Sequence, residues 1–415
     1  MRVLWFSINS ALYKSLDGSV AGHGGWVGNL ERIVMAHDDV TLSIAFEHKD
    51  DRFKVEQGGV IYYPMKTIRS ASDRLKRKYD ANSESTQVIQ ACIKVIDDFK
   101  PDIIQVFGSE WCWGLLYKYT KIPIVLHLQG SLPQYHNCRF PAGFSMHDVY
   151  IGYLFRPRKI IHEIIGGRNL KIRVKREEDI LSHVHYYMGR TQWDKDITYL
   201  YNPAREYFHC DEAINPDIYQ SEEKWQQKKC TEIKIVTIGA HFLKGIDVVY
   251  KTMSLLKKWH FDSVKWYIIG NKYLLDTKLV ENMMGETAKD LGIVYLGRLE
   301  PIKIKKVLLS SDIYVHPSYA ENSPNSICEA QLLGIPVIAT FCGGVNTLLN
   351  GGEAGILVPI NDPYAMASNI IQLKNNLKLQ LELSRKEIKI SHNRHQPDYI
   401  YHQLLTIYQQ IIIES

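Results

Sequence analysis

Two series of apolar runs alternating with amphipathic segments constrain this 415-residue chain more than any other feature. In the first half, "RVLWFSI" (2–8), "VTLSIAF" (40–46), "DIIQVFG" (102–108), "IPIVLHLQG" (122–130) and "HVHYYMG" (183–189) read as strands, and "WVGNLERIVMAH" (26–37) has helical spacing. Near-continuous hydrophobicity of this kind is what a parallel sheet covered on both faces requires. The polar run "CDEAINPDIYQSEEKWQQKKCTE" (210–232) reads as a linker. The alternation then restarts, with strands at 233–239, 264–270, 292–297, 312–318 and 336–340 and helices reaching about Lys258, at 277–290 and at 324–333. The expected architecture is α/β, with two Rossmann-like doubly wound domains: 1–210, then a linker at 211–232, then 233–395. Residues 396–415 are expected to form a helix returning to the N-terminal domain. In such sheets ligands bind beyond the carboxyl ends of the strands, so a central cleft faced by both domains is the expected site.

Composition narrows the class. No run approaches the 18 or so apolar residues of a membrane span, and "MRVLWFSINS" reads as a strand rather than a secretory leader. Seven cysteines without a C-x-x-C pair fit buried thiols in a reducing cytoplasm. The net charge of +5 lies wholly in residues 1–210, which hold 28 Lys+Arg against 23 Asp+Glu. It concentrates in "KTIRSASDRLKRK" (66–78), which reads either as a solvated helix face or as an attachment to an anionic membrane surface. Nucleic acid is not expected as a partner, because the basic clusters lack interleaved aromatics and a binding module.

The chemistry concentrates in "SYAENSPNSICEAQLLGIPVIAT" (318–340). Ser323 is expected to cap the helix there, with Pro324 at its first position. Exposed N–H groups at that end, reinforced by the helix dipole, suit a phosphate. Glu321 precedes the helix and Glu329 lies within it. Eight helical residues span roughly 12 Å, whereas a glycosidase acid–base pair sits about 5–9.5 Å apart. The pair therefore makes better sense as acceptors for sugar hydroxyls on either side of a diphosphate.

With "LLGIPVIATFCGGVNTLLNGGEAGILVPINDPYAMA" following, this segment resembles the donor-binding part of retaining nucleotide-sugar glycosyltransferases of family 4, which have the GT-B fold. By that resemblance Glu329 binds the nucleotide ribose, while Glu321, with loop amides near Asn322 and Ser323, grips the transferred sugar; Asn325 and Ser326 are counted with the donor contacts. In "GAHFLKGID" (239–247) the resemblance assigns Lys244 to the diphosphate. Where the family usually has an arginine a few residues earlier, this chain has Ala240-His241, so Arg190 in "MGRTQWDKD" either supplies the missing charge or sits in an internal ion pair. Gly24 and Gly25 resemble the N-domain loop that closes on phosphate, and Gly343 and Gly344 a second loop beside the donor sugar. Gly297 and Arg298 are counted with the donor contacts. Where the family commonly has histidine followed by Asp or Gly at the strand end, this chain has Gln129-Gly130, with His127 two residues earlier on the same strand face; either could line the cleft as a catalytic contact, or His127 could be a core histidine. Gln129 cannot act as a base but can donate to a sugar hydroxyl or departing oxygen.

The Asp-x-Asp of "DKD" (194–196) has capping-box spacing from Thr191, and Asp362-Pro363 also reads as a cap, so no metal is expected. The resemblance implies a metal-independent, retaining hexosyltransferase. Its donor would be a nucleoside diphosphate sugar and its acceptor a saccharide or lipid-linked saccharide bound by the N-terminal domain and the 138–182 insertion. The expected setting is bacterial surface polysaccharide synthesis, in the cytoplasm or peripheral to the plasma membrane. An epimerase or phosphorylase on the same scaffold, or a noncatalytic saccharide- or membrane-binding protein, is the alternative.

Overall fold

The computed structural model describes residues 1–15, 18, 25–49, 52–227 and 232–415. It divides into two compact units, one of residues 1–136, 163–215 and 395–415, the other of 137–162 and 216–394. Each is built around one sheet.

The N-terminal unit holds β1 (Arg2–Phe6), β2 (Thr41–Glu47), β3 (Val55–Gln57), β4 (Val60–Met65), β5 (Ile103–Phe107), β6 (Ile124–His127), β7 (Tyr186–Gly189) and β8 (Glu206–His209). Their order is β3-β4-β2-β1-β5-β6-β7-β8, and only the β3–β4 pair is antiparallel. The strands are apolar on both sides because both faces are covered. One face packs Trp5, Ile44 and Phe107 beneath the helices Gly25–Val34 and Pro397–Glu414. The other packs Leu4, Phe6 and Leu126 against the helix Ala81–Phe99 and the 3-10 turn Cys112–Lys118.

The C-terminal unit holds β9 (Ile233–Ile238), β10 (Val264–Ile269), β11 (Ile293–Gly297), β12 (Ile313–His316), β13 (Val337–Thr340) and β14 (Ile356–Val358), in the order β11-β10-β9-β12-β13-β14, every pairing parallel. Trp266, Ile235 and Tyr250 lie in its core.

The expected run of domain 1 through residue 210 differs from the structure at 137–162, which pack on the C-terminal unit. The cause is apolar: Phe144 meets Phe242 at 4.8 Å between ring centroids, and Val149 joins the same core. The rest of the expected insertion is the helix Pro157–His183, whose residues from 163 onward belong to the N-terminal unit. Among the described residues no helix is long and apolar enough to cross a membrane.

The helix Pro397–Glu414 belongs to the N-terminal unit. It inserts Ile400, Leu404, Tyr408 and Ile411 into the core, and the Trp5 indole donates to the Tyr408 hydroxyl at 2.9 Å. That hydroxyl in turn bonds Gln105. Tyr408→Ala is expected to cost about 3–5 kcal/mol, the range for truncating a large buried aromatic. The loss should appear in urea unfolding followed through the tryptophans of the N-terminal unit.

Candidate functional site

In the C-terminal unit the site grows from the carboxyl ends of two neighbouring strands, β9 and β12. After β9 the chain turns through Gly239 (φ +109°), where a side chain would crowd the Lys244 stem at 2.8 Å. Lys244 closes a 3-10 turn, and Gly245 (φ +72°) caps the helix Ile246–Lys258. A Cβ at Gly245 would overlap the Pro317 carbonyl, so glycine is what lets this loop press against the end of β12.

Beyond β12, the buried Glu321 carboxylate receives the Lys244 ammonium. Ser318 Oγ donates to the same carboxylate oxygen at 3.3 Å, and His316 Nε2 lies 3.6 Å from it. His316 is itself pinned by Tyr314 at 3.1 Å and Ser318 at 3.0 Å. Burial alone would raise the Glu321 pKa, but the Lys244 charge and the His316 contact outweigh it and hold it at about 2. The stabilisation this supplies is complete above the ordinary carboxylate range and is lost as pH falls from about 4.5 toward 2.

Gly343 and Gly344 fix the Glu321 backbone. Gly344 N–H donates to the Glu321 carbonyl at 3.1 Å, and a Cβ at Gly343 (φ +49°) would overlap that carbonyl oxygen. Their evident work is to lock the acidic loop.

The following helix is Asn325–Leu333, with Pro324, not Ser323, at its N-cap. The helix starts one residue later than expected: Pro324 has extended ψ (114°) and no side-chain hydrogen bond closes the cap, so the first N–H groups have no side-chain cap. Asn322 and Ser323 are buried beside Glu321; Ser326 instead accepts from Tyr314 at 2.8 Å. Glu329 lies within the helix, half-buried, and burial raises its pKa to about 7. Gly334 (φ +79°) ends the helix.

Gly297 and Arg298 lie apart from this cluster. β11 is the sheet edge, three strands from β12, roughly 14 Å at about 4.8 Å per spacing. His241 supplies no second cation, since burial and the Lys244 charge lower its pKa to about 4.

The N-terminal unit carries its own polar cluster at the ends of β5, β6 and β7. His127 is fully buried, stacked on Phe107 and edge-on to Trp26, with Gln105 at 3.1 Å from Nδ1. Burial and the nearby Arg190 charge push its pKa well down, so it is a neutral core ring. Gln129 is half-buried just past β6. Arg190 is buried, donates to the Leu128 carbonyl at 3.1 Å and lies 5.0 Å over the Trp26 ring. The internal ion pair weighed for it is not formed: among the described residues no carboxylate lies within 4 Å of its side chain. Gly25 opens the helix Gly25–Val34 at φ +54°, and Gly24 lies outside the described residues. The capping boxes at Thr191–Asp194 and Ser70–Asp73 and the cap by Asp362 are all present.

Sequence reading missed Glu110, His316 and Ser318. Glu110 stands between Gly108 and Gly130, neither of which could carry a side chain without striking its carboxylate. One Glu110 oxygen is buried with no hydrogen-bond partner, and burial raises its pKa against the pull of Arg190. "FGSEW" directly after an apolar strand, at the end where ligands bind, was the available signal.

Residues 232–376 match the family model described as glycosyl transferases group 1. An uncharacterized glycosyltransferase of Methanocaldococcus jannaschii is 23% identical over 68% of this chain and 74% of its own length. An Escherichia coli UDP-Gal:alpha-D-GlcNAc-diphosphoundecaprenol alpha-1,3-galactosyltransferase is 28% identical over 29% of this chain and 34% of its own. Among solved structures, sucrose-phosphate synthase from Thermosynechococcus elongatus matches all of both chains at TM-score 0.72 and 14% identity. Anabaena HepE in complex with UDP-glucose matches 99% of this chain and all of its own at TM-score 0.64 and 14% identity.

Two parallel-sheet α/β units of this kind define the GT-B fold. The match to the glycosyl transferases group 1 model lies within the C-terminal unit, over residues 232–376.

The raised Glu329 pKa has a sign that can be checked. A buried carboxylate that resists ionisation costs stability as pH rises from about 4.5 through 7. Glu329→Gln is therefore expected to match the parent near pH 4.5 and to exceed it at pH 8 by up to about 3 kcal/mol. Melting curves at the two pH values measure this; an equal difference at both would refute it.

Proposed function

We propose that the protein transfers a sugar from a uridine diphosphate sugar to a hydroxyl of a saccharide or lipid-linked saccharide, with retention of configuration, as a family 4 enzyme of surface polysaccharide synthesis. The observation that carries this reading is the Lys244–Glu321 pair, set at the ends of adjacent strands with Glu329 in the next helix. The uridine base and the lipid-linked acceptor are supported by what the HepE complex and the E. coli enzyme are named for. Half of the case is electrostatic: Lys244 stands at the end of β9, and the helix Asn325–Leu333 opens beyond the neighbouring strand β12, where its dipole favours an anion.

In the proposed reaction the bond between the anomeric carbon and the β-phosphate oxygen breaks, and the leaving electron pair stays on the diphosphate. Lys244 and the helix N–H groups stabilise that charge as it develops, where preorganised donors are worth most. The acceptor oxygen forms the new bond on the face the diphosphate leaves, and its proton passes to the departing phosphate. Glu321, with Asn322 and Ser323, accepts and donates to sugar hydroxyls and so orients the carbon. Glu329 ionises on accepting the two ribose hydroxyls. Gln129 and Glu110 are assigned to the acceptor. No step requires a metal; Lys244 supplies the charge a divalent ion would.

Three outcomes test this. UDP at about 100 times its dissociation constant should stabilise the protein by roughly 2.7 kcal/mol, more than GDP, ADP or CMP, and Glu329→Ala should lose that gain. Lys244→Ala should lower kcat/KM with a UDP-sugar by about 10²–10³. Turnover should survive EDTA; activity abolished by chelation and restored by manganese would overturn the metal-free scheme.

A further inference from the structure

The segment 137–162 packs its base and bares its tip. At the base, Phe144 and Val149 lie in the core of the C-terminal unit, and a Cβ at Gly152 would come within 3.0 Å of Leu279. The helix Met146–Gly152 then ends, and the chain turns through 153–156 into the helix Pro157–His183. The N–H groups of Arg156 and Lys159 hold that turn, donating to the carbonyls of Tyr153 and Arg156 at 2.7 and 2.8 Å. The apolar side chains around it find no core: Phe155 is 92% exposed, Leu154 66%, Ile151 60% and Ile161 54%. Large apolar side chains grouped in this way on a well-anchored turn mark an interaction site.

The fixed charge on the same stretch has one sign. Residues 149–162 include Arg156, Arg158 and Lys159 and no Asp or Glu. All three cations are exposed, and among the described residues none of their side chains makes a hydrogen bond or an ion pair. The acids that bracket the stretch are engaged elsewhere. Asp148 caps the helix Met146–Gly152, receiving the Ser145 N–H and hydroxyl at 2.7 and 2.8 Å, and Glu163 is half-buried with a partner of its own.

We propose that this tip docks the protein on an anionic lipid surface. Ile151, Leu154 and Phe155 enter the boundary between headgroups and acyl chains, while Arg156, Arg158 and Lys159 meet the lipid phosphates. An apolar tip followed at once by cations matches both layers of such an interface. A soluble anion would satisfy the cations and leave Phe155 in water. A second copy seated on the tip across a two-fold axis would bring the like charges together, which is costly. The tip belongs to the C-terminal unit, whereas the basic stretch 66–78 belongs to the N-terminal unit, so the two can be tested separately. This inference does not rest on the donor reading.

The test is sedimentation of the full chain with phosphatidylglycerol vesicles, against phosphatidylcholine. It uses the parent, Leu154→Ser/Phe155→Ser, Arg156→Gln/Arg158→Gln/Lys159→Gln and, in the other basic stretch, Arg74→Gln/Lys76→Gln. The parent should bind phosphatidylglycerol much more tightly than phosphatidylcholine. The triple variant should bind it about a hundredfold more weakly, at about fivefold for each cation near an anionic surface. The apolar double variant should lose at least about tenfold, and Arg74→Gln/Lys76→Gln should bind like the parent. The substituted side chains are exposed, so every variant should melt with the parent. A parent that ignores phosphatidylglycerol or binds both lipids equally would overturn the proposal. So would tip variants that bind like the parent, or a loss confined to Arg74→Gln/Lys76→Gln.

Discussion

The ion pair between Lys244 and Glu321 is the interaction on which the C-terminal site depends. An ammonium and a buried carboxylate would each be costly to desolvate alone, and together they are tolerable only with close geometry and further hydrogen bonds. The protein supplies both. Ser318 and His316 share the carboxylate, and Tyr314 holds His316 in turn. Three glycines then bring the backbone close enough: Gly239 beside the lysine stem, Gly245 against Pro317, and Gly343 against the Glu321 carbonyl. Glu329 complements the pair from the opposite regime. It has no cation to lower its pKa, and burial keeps it poised near neutrality.

Much of this was legible in the sequence, for identifiable reasons. Parallel strands buried on both faces leave continuous apolar runs, so β1, β2, β5, β9, β10 and β12 stand out. β4 was harder because Pro64 interrupts "VIYYPM", and β3 because its three residues, none of them buried, leave little periodicity. Capping boxes were readable at Thr191–Asp194 because both partners are local. The start of the helix Asn325–Leu333 slipped by one residue because Ser-Pro fits two registers, and only backbone geometry separates them.

Side-chain partnerships across the chain were the least legible. Nothing near Glu321 in sequence announces Lys244, 77 residues away. Arg190 illustrates the same limit: its neighbours suggest either a phosphate or a carboxylate partner, and the structure gives it a carbonyl and an indole face instead. Glu110 escaped notice because its meaning comes from two glycines on different strands' ends, Gly108 and Gly130.

The exchange of segments between the halves of the chain bears on how the molecule assembles. The C-terminal unit has all its parts once residue 394 has been made, because it borrows only from upstream, at 137–162. The unit that begins the chain lacks its closing helix until the ribosome reaches residue 395 and beyond. Synthesis therefore reverses the usual order, and the nascent first sheet must wait with Trp5 and Ile44 incompletely covered, in the state where a chaperone would find it.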